Sequence, residues 1–412
     1  MAGLLKRIWT AAYPPEPVKA EDALRVGILG AANIGPNSII NPAKSHPQVI
    51  IAAVAARDPK KAQAYAKKHS IPIVHNSYQE LIDDPSITAI YIPLPNGLHY
   101  EWALKSLQKG KHVLLEKPSV SNASQASALF HLPLLSEPNT PVLLEAFHSL
   151  FHPAFQLFLS QIEKQNVEFA SVESTSPKYI FPNDDIRFLY TLAGGTTMDF
   201  GTYTILLLRN IFGDEPEECV SADLKKMPKG YDQNCESAVQ AKWRWKNGGT
   251  GQMDTDLSRG VRMWGGLLEW IPWVEIPRAV VRHKEVLVPC EEDGKEHSVV
   301  RTISMLNFLL PMFWHRIRIV EEHTIRNTSN KKTARKWTEK QTKTAYKWED
   351  GSGKKGEVWW PTYRYQLEEF VNRVKKREGS GIWMDGEDSI KQTQMIDSVY
   401  QKAGWPVRPG EV

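Results

Sequence analysis

The sequence predicts an α/β chain of two domains: an N-terminal Rossmann unit with a doubly wound parallel sheet, then a C-terminal α+β domain with an open, mainly antiparallel sheet. Three observations predict it. Between Leu24 and Phe147, short and nearly all-apolar β-branched runs alternate with longer polar-apolar segments, the rhythm of βαβ units whose strands are buried on both faces. After about His148 the alternation stops and longer strand-like runs follow, which favours antiparallel pairing. The 412 residues exceed what one compact core holds.

Residues 1–22 carry two early positive charges and short apolar stretches interrupted by Pro14-Pro15. They read as an arm lying on the folded body rather than as a targeting peptide. In residues 23–147, the dinucleotide-type domain, LRVGILG, VIIAAVAA, AIYIPL, HVLLEK and PVLLEAF read as strands. The segments PKKAQAYAKKHS, YQELIDD, YEWALKSLQKG and SQASALFHLPLL read as helices, because their apolar residues recur at helical spacing.

In residues 148–412, strands are expected at EFASVEST, AVQAKWRWK, GTGQMDTDL, HSVVRTISMLNFL, HRIRIVEEHT and TAYKWED, with NGG at 247–249 as a hairpin turn. Helices from Thr202 to Ile211 and from Thr362 to Lys376 should flank the sheet. A last helix, Asp388 to Ala403, stops at Gly404 before Trp405-Pro406. The stretch from Leu257 to Pro289 is rich in Trp, Gly and Pro and reads as a packed irregular loop, with Trp264, Trp270 and Trp273 covering the body or a second subunit. The run from Lys331 to Lys347 interleaves Lys and Arg with Trp337 and Tyr346. Glu339 interrupts it, and the alternation suits the solvent face of a hairpin rather than a nucleic-acid patch.

Composition narrows the function classes. Hydrophobic residues at 42% and charged residues at 24% exclude wholesale disorder. The 51 Lys and Arg against 47 Asp and Glu, formally +4, exclude a general nucleic-acid footprint. No apolar run approaches the ~20 residues of a spanning helix, so no membrane partner is expected. Cys219, Cys235 and Cys290 are too scattered for a disulfide framework or a zinc knuckle. Free thiols, no metal site and a cytoplasmic location follow as expectations.

The first strand runs into Gly27-Ile28-Leu29-Gly30-Ala31-Ala32-Asn33-Ile34-Gly35. Small residues at such a turn let backbone N–H groups approach a pyrophosphate. Gly30 and Gly35 hold the outer positions of GxGxxG, and Ala32 replaces the middle glycine. The second strand ends in Ala55-Ala56-Arg57, where NAD enzymes usually present a carboxylate to the ribose. A guanidinium there can grip a 2′-phosphate, so NADP is expected over NAD. Asp58-Pro59 reads as the start of the next helix.

These stretches, GILGAANIG, AARDPKKAQAYAKKH, YIPLPNGLHYEWALKSLQKGKHVLLEKP, EAFHSLFHPAF and AGGTTMDFGTYT, with the late YRYQLEEFV and SVYQKAGWPVRP, resemble the glucose-fructose oxidoreductase / inositol dehydrogenase / rhizopine-catabolism (Gfo/Idh/MocA) family. The resemblance covers nearly the whole chain. Within the family it is similar to the branch of NADP-dependent D-xylose 1-dehydrogenases and dimeric dihydrodiol dehydrogenases.

The resemblance implies an NAD(P)-dependent oxidoreductase acting on CH–OH groups, with a small-molecule substrate, foremost a sugar, and a homodimer. It assigns catalysis to Lys117 of Glu116-Lys117-Pro118 and to Tyr203 and Asp199 of Asp199-Phe200-Gly201-Thr202-Tyr203. Tyr203 is the implied acid/base, its ionisation helped by Lys117. Cofactor contacts are implied for Gly30, Ala32, Asn33, Ile34, Arg57, Pro95, Asn96, His99, Glu116 and Lys117, with His99 beside the nicotinamide or, alternatively, a capping residue bonded only to backbone. Glu145, His148 and Arg187 are candidates for the cleft wall beside Tyr203. Relatives often carry Arg before Phe-His-Pro, where this chain has Leu150 before Phe151-His152-Pro153. Rival readings are trans-dihydrodiol oxidation or dicarbonyl reduction on the same machinery, and a non-catalytic NAD(P)-sensing regulator.

Overall fold

The computed structural model describes residues 2–177, 181–182, 185–259 and 276–412. The arm begins with α1 (Ala2–Ala12), held by Arg7, which donates to Phe313 O and lies over the Tyr346 ring. Lys19 ends the arm by donating to the carbonyls of Ala43, Lys44 and His46.

The first sheet holds β1 (Leu24–Leu29), β2 (Val49–Ala55), β3 (Ile73–His75), β4 (Ala89–Ile92), β5 (His112–Leu115) and β6 (Leu143–Glu145). Their order is β3-β2-β1-β4-β5-β6 and every pairing is parallel. The direction of winding reverses between β1 and β4, so their carboxyl ends open a crevice at the switch point. The short helical piece α2 (Asn41–Lys44), then α3 (Pro59–His69), α4 (Tyr78–Asp83), α5 (His99–Gln108) and α6 (Ala123–Phe130) cover the faces. Asp58 caps α3 by accepting from Lys60 N and Lys61 N, as the Asp-Pro pair predicts. Strand β3 was not anticipated, since three half-buried residues are too few to show a period.

After α7 (Pro153–Ser160), the second sheet contains β7 (Val167–Pro177), β8 (Glu218–Lys226), β9 (Glu236–Arg244), β10 (Thr250–Arg259), β11 (Arg278–His283), β12 (Val286–Val288), β13 (Lys295–Leu306), β14 (Arg316–Asn327) and β15 (Thr333–Lys343). The order is β15-β14-β13-β11-β7-β10-β9-β8, with β12 paired to β13. In this second sheet, among the described residues, β7 and β10 form the one parallel strand pair. NGG turns β9 into β10 with Gly248 at φ +80°, a conformation that favours glycine.

Two expectations need correction. Strands β11 and β12 lie within the stretch read as an irregular loop. In β11, Ala279, Val281 and His283 point inward between Arg278 and Arg282, which are exposed, and a six-residue alternation flanked by arginines carries little signal. Trp264, Trp270 and Trp273 lie outside the described residues. TAYKWED forms no strand; the pairing run is β15, whose exposed alternation makes the hairpin with β14. Strand β8 was also unanticipated, its exposed edge position leaving little apolar pattern.

Helix α8 (Thr202–Phe212) is buried along nearly its whole length, and its ILLL run explains why. Helices α9 (Thr362–Val374) and α10 (Gly386–Lys402) fold back on the first sheet's helices. Glu368 pairs with His46, Arg364 Nε donates to Ser45 Oγ, and Asp397 accepts from Ala123 N. The terminal tail follows: Asn122 Nδ2 donates to Arg408 O and Gly410 O. One apolar core therefore runs from Ile28 through Phe147, Phe151 and α8 to Tyr400. No helix among the described residues is long and apolar enough to cross a membrane, and the three cysteines carry free thiols.

Candidate active site

The glycine turn sits at the end of β1. Gly30 has φ +108°, which a Cβ would strain. A Cβ on Gly35 would stand 2.2 Å from Tyr65 Oη, and that hydroxyl donates to Ala32 O at 3.2 Å, so the second glycine makes room for the side chain that fastens the turn. Asn33 and Ile34 are exposed at its edge. The following helix is shorter than expected, a π-turn over Pro36–Ile40 leading into α2. Arg57 is exposed just past β2.

Buried Glu116 connects this turn to the next loop. Tyr91 Oη lies 2.5 Å from Glu116 Oε1 and 2.6 Å from Ser38 Oγ, and Ser38 donates to Ile34 O at 3.0 Å. Burial pushes the Glu116 carboxyl above its usual range. Tyr91 Oη donates to Glu116, and Ser38 Oγ, within hydrogen-bond reach of the same phenol, donates to Ile34 O, so a buried polar chain ties the glycine turn to the Glu116 loop. Neither Tyr91 nor Ser38 was singled out from the sequence.

His99 requires a correction. It is fully buried, with Nδ1 2.9 Å from Pro118 O and Nε2 2.7 Å from Leu94 O. Burial holds its pKa down to about 4. With no accessible surface it ties the loop after β4 to the loop after β5 rather than facing the cleft. Glu145 is likewise fully buried and accepts from Ser119 N at 2.7 Å, its pKa pushed up to about 7 by burial. It is no cleft wall; it holds the backbone behind Lys117-Pro118. Asn96 donates to Ala193 O at 3.1 Å, joining the two domains beside the half-buried Pro95.

The remaining candidates converge. Lys117 Nζ donates to Asp199 Oδ1 at 2.9 Å and to Asp199 O at 3.1 Å, and stands 4.7 Å from the Tyr203 ring centre. Arg187 Nε donates to Asp199 Oδ2 at 2.7 Å and Arg187 Nη1 to Asp185 at 3.0 Å. Burial opposes ionisation of Asp199, yet the Lys117 ammonium and Arg187 guanidinium outweigh it and hold the carboxyl well below its usual range. Asp199 thus aims two cations at one place.

Tyr203 Oη lies 2.9 Å from His148 Nε2. Burial, reinforced by Tyr363, Glu116 and Asp199, raises the Tyr203 pKa well above 10, which corrects the expectation that Lys117 lowers it: the ammonium faces the ring, and desolvation wins. Burial also pushes His148 down to about 3, with Lys117 adding to the shift. A neutral His148 therefore shares one hydrogen bond with the neutral Tyr203 through Nε2, while its Nδ1 has no partner. Tyr363 was missed by the sequence reading. Its ring lies 4.0 Å from that of His148, and its only signal was its place at the start of the late YRYQLEEFV stretch.

Leu150 does not belong to this group. It borders a hollow of about 400 Å³ lined also by Arg209, Asp214, Glu215, Trp383 and Asp388, none of which belongs to the cluster around Lys117, so an arginine at this position would meet those carboxylates.

Comparison with known proteins places the fold in a family. Residues 24–133 match the model of an oxidoreductase family with an NAD-binding Rossmann fold, and residues 167–263 match the GFO/IDH/MocA C-terminal domain. The chain is 39% identical over 191 residues to D-xylose 1-dehydrogenase (NADP(+)) 2 of Haloferax volcanii, 45% of this chain and 57% of that protein. It is 34% identical over 207 residues to trans-1,2-dihydrobenzene-1,2-diol dehydrogenase of Xenopus laevis, 48% of this chain and 60% of that protein. The match thus spans less than two thirds of each relative's own length. The fold of KijD10, a 3-ketoreductase from Actinomadura kijaniata solved with NADP and TDP-benzene, superposes with a TM-score of 0.68 at 21% identity, covering 92% of this chain and 98% of the other. With both domain models of one family matched in chain order, and a Rossmann sheet followed by an open mixed sheet, the chain belongs to the GFO/IDH/MocA oxidoreductase family.

Proposed function

We propose that the chain is an NADP-dependent oxidoreductase that moves a hydride between nicotinamide and a carbinol carbon of a sugar, with an aldopyranose such as D-xylose oxidised at C1 to its lactone. The observation that carries this reading is the convergence of Lys117, from the carboxyl end of the parallel sheet, with Asp199 and Tyr203 from the second domain. The residues present fit the cofactor: Gly30 at φ +108° opens a cradle that a Cβ would strain, Asn33 and Ile34 leave its rim accessible, and Arg57 stands free at the position that would meet a 2′-phosphate. NADP, when bound, supplies or accepts the hydride at nicotinamide C4.

The chain's own residues position the substrate and move the proton. Lys117, steered by Asp199, donates to the reacting oxygen and favours its negative form. Tyr203, neutral at rest, exchanges a proton with that oxygen, while His148 holds the phenol in place. Arg187 keeps Asp199 charged and presents a half-exposed guanidinium for further hydroxyls. A regulator that only senses the cofactor has no need of this cluster.

The aromatic surround of Tyr203, with Phe147 edge-on at 5.8 Å and Tyr363 behind His148, supports a second reading, oxidation of a trans-dihydrodiol or reduction of a dicarbonyl. A panel of pentoses, hexoses, disaccharides and dihydrodiols assayed by NADPH absorbance distinguishes the two; no turnover with any monosaccharide overturns the sugar reading. The homodimer and the cytoplasmic location belong to the same proposal, the former checked by light scattering at micromolar concentration.

A further inference from the structure

On the second sheet, three neighbouring strands bring a set of metal-ligating side chains onto one face. Across β13, β14 and β15, Arg301, Glu321 and Glu339 stand directly opposite one another, and the next row is Val299, His323 and Trp337. Directly opposed like charges repel, so the Glu321–Glu339 pair calls for a cation between its members. Arg301 Nε lies 3.3 Å from Glu321, but it sits on the far side from Glu339.

His323 supplies the third group. Its Nε2 is inaccessible and without a hydrogen-bond partner, and Glu339 Oε1 lies 3.8 Å away. Nε2 and the carboxylate therefore face each other across a gap too long for a hydrogen bond. One atom each from Glu321, His323 and Glu339 lies within 4.8 Å of the other two. Tetrahedral zinc with bonds of about 2.1 Å needs ligand atoms roughly 3.4 Å apart. Rotation of Glu339, 62% exposed, closes that gap.

Each of the three is also held from behind. His297 Nε2 lies 3.0 Å from His323 Nδ1, Trp337 Nε1 donates to Glu339 Oε1 at 3.1 Å, and Arg301 steadies Glu321. The Trp337 ring stacks on His323 at 4.7 Å, nearly parallel. Outer partners of this kind set the tautomer of a ligating imidazole and the direction of a ligating carboxylate.

We infer that Glu321, His323 and Glu339 form a binding site for a divalent first-row transition ion of the Zn²⁺ class, which clamps edge strand β15 to β14 and leaves its remaining positions to water. One imidazole with two carboxylates selects such an ion over Ca²⁺ and Mg²⁺, which prefer all-oxygen shells. This departs from the expectation of no metal site, which looked only for cysteine-based spacing; Glu-x-His on a strand was the overlooked signal.

Calorimetric titration of the chelator-treated full chain with Zn²⁺ tests it, with Co²⁺ absorption as a second readout of the ligand set. One ion per chain should bind and raise Tm. Glu339→Gln, an exposed change that leaves the fold intact, should weaken binding at least tenfold, His323→Gln should abolish it, and His297→Gln should weaken it ~10–100-fold. Absence of binding at ~100 µM Zn²⁺, a concentration at which a micromolar site would shift Tm clearly, overturns the inference. Equal binding by the parent, Glu339→Gln and His323→Gln proteins also overturns it, by placing the ion elsewhere. If His323→Gln fails to fold, Glu339→Gln and the Co²⁺ spectrum still decide.

Discussion

The Tyr203 hydroxyl lies 2.9 Å from His148 Nε2, both groups buried. Burial drives the two pKa values apart, the phenol upward and the imidazole downward, so Tyr203 keeps its proton and His148 stays neutral across their hydrogen bond. Tyr203→Phe deletes only that oxygen. The expected result is a fall in kcat of ~10²–10⁴ with NADP affinity nearly unchanged, read by steady-state kinetics and a cofactor fluorescence titration. Near-normal kcat would move the acid/base role to another group.

Glu145 makes stability depend on pH. Its carboxyl is raised by burial from 4.5 to about 7, so the folded chain binds this proton more tightly than the unfolded chain does. The sign follows: below about 4.5 both states are protonated and Glu145 costs nothing, and stability then falls as pH rises toward and through 7, on the order of 3 kcal/mol in all. Glu145→Gln lacks the titration. Denaturant melts from pH 5 to 8 should show the variant gaining on the parent as pH rises; parallel pH profiles would refute the assignment.

Arg57 should set the choice of cofactor. One charge-assisted bidentate contact to a 2′-phosphate is worth ~1.5–3 kcal/mol, roughly tenfold to more than a hundredfold in affinity. Arg57→Ala should lose most of the NADP preference while binding NAD as before, measured by paired titrations. Equal affinity of the parent protein for NAD and NADP would remove the claim.

Gly35 and Tyr65 should behave as a coupled pair. Gly35→Ala puts a methyl group 2.2 Å from Tyr65 Oη, displacing the hydroxyl that fastens Ala32 and weakening NADP binding. Tyr65→Phe removes the clashing atom, so adding Gly35→Ala to it should cost little more than Tyr65→Phe alone. Strictly additive losses would show that the contact does not govern the turn.

Local patterns carried far into this fold. The strand-turn-helix at Gly27–Gly35, the cap at Asp58, the NGG hairpin and the stop at Gly404 each depend on a few consecutive residues, whose conformational preferences act without the rest of the chain. Strands β3, β8 and β11 escaped notice because a short, edge or arginine-flanked strand takes its identity from its neighbours in the sheet. The candidate site divides the same way. The glycine turn could be read from spacing, while Lys117 and Tyr203 stood out only through family resemblance.

By itself the sequence determined the two-domain α/β plan, the phosphate-suited turn after β1 and the small net charge, because apolar period, glycine placement and charge count are properties of the string. Only the tertiary structure decided which polar groups meet. Lys117 and Asp199 are 82 residues apart, and they touch because the carboxyl edge of the parallel sheet packs against the start of α8. The same packing withdrew His99 and Glu145 into the interior and brought Tyr363, from near the end of the chain, beside His148. Whether a histidine or carboxylate faces a cleft or supports it from beneath depends on desolvation and on partners supplied by distant segments, and no local pattern records either.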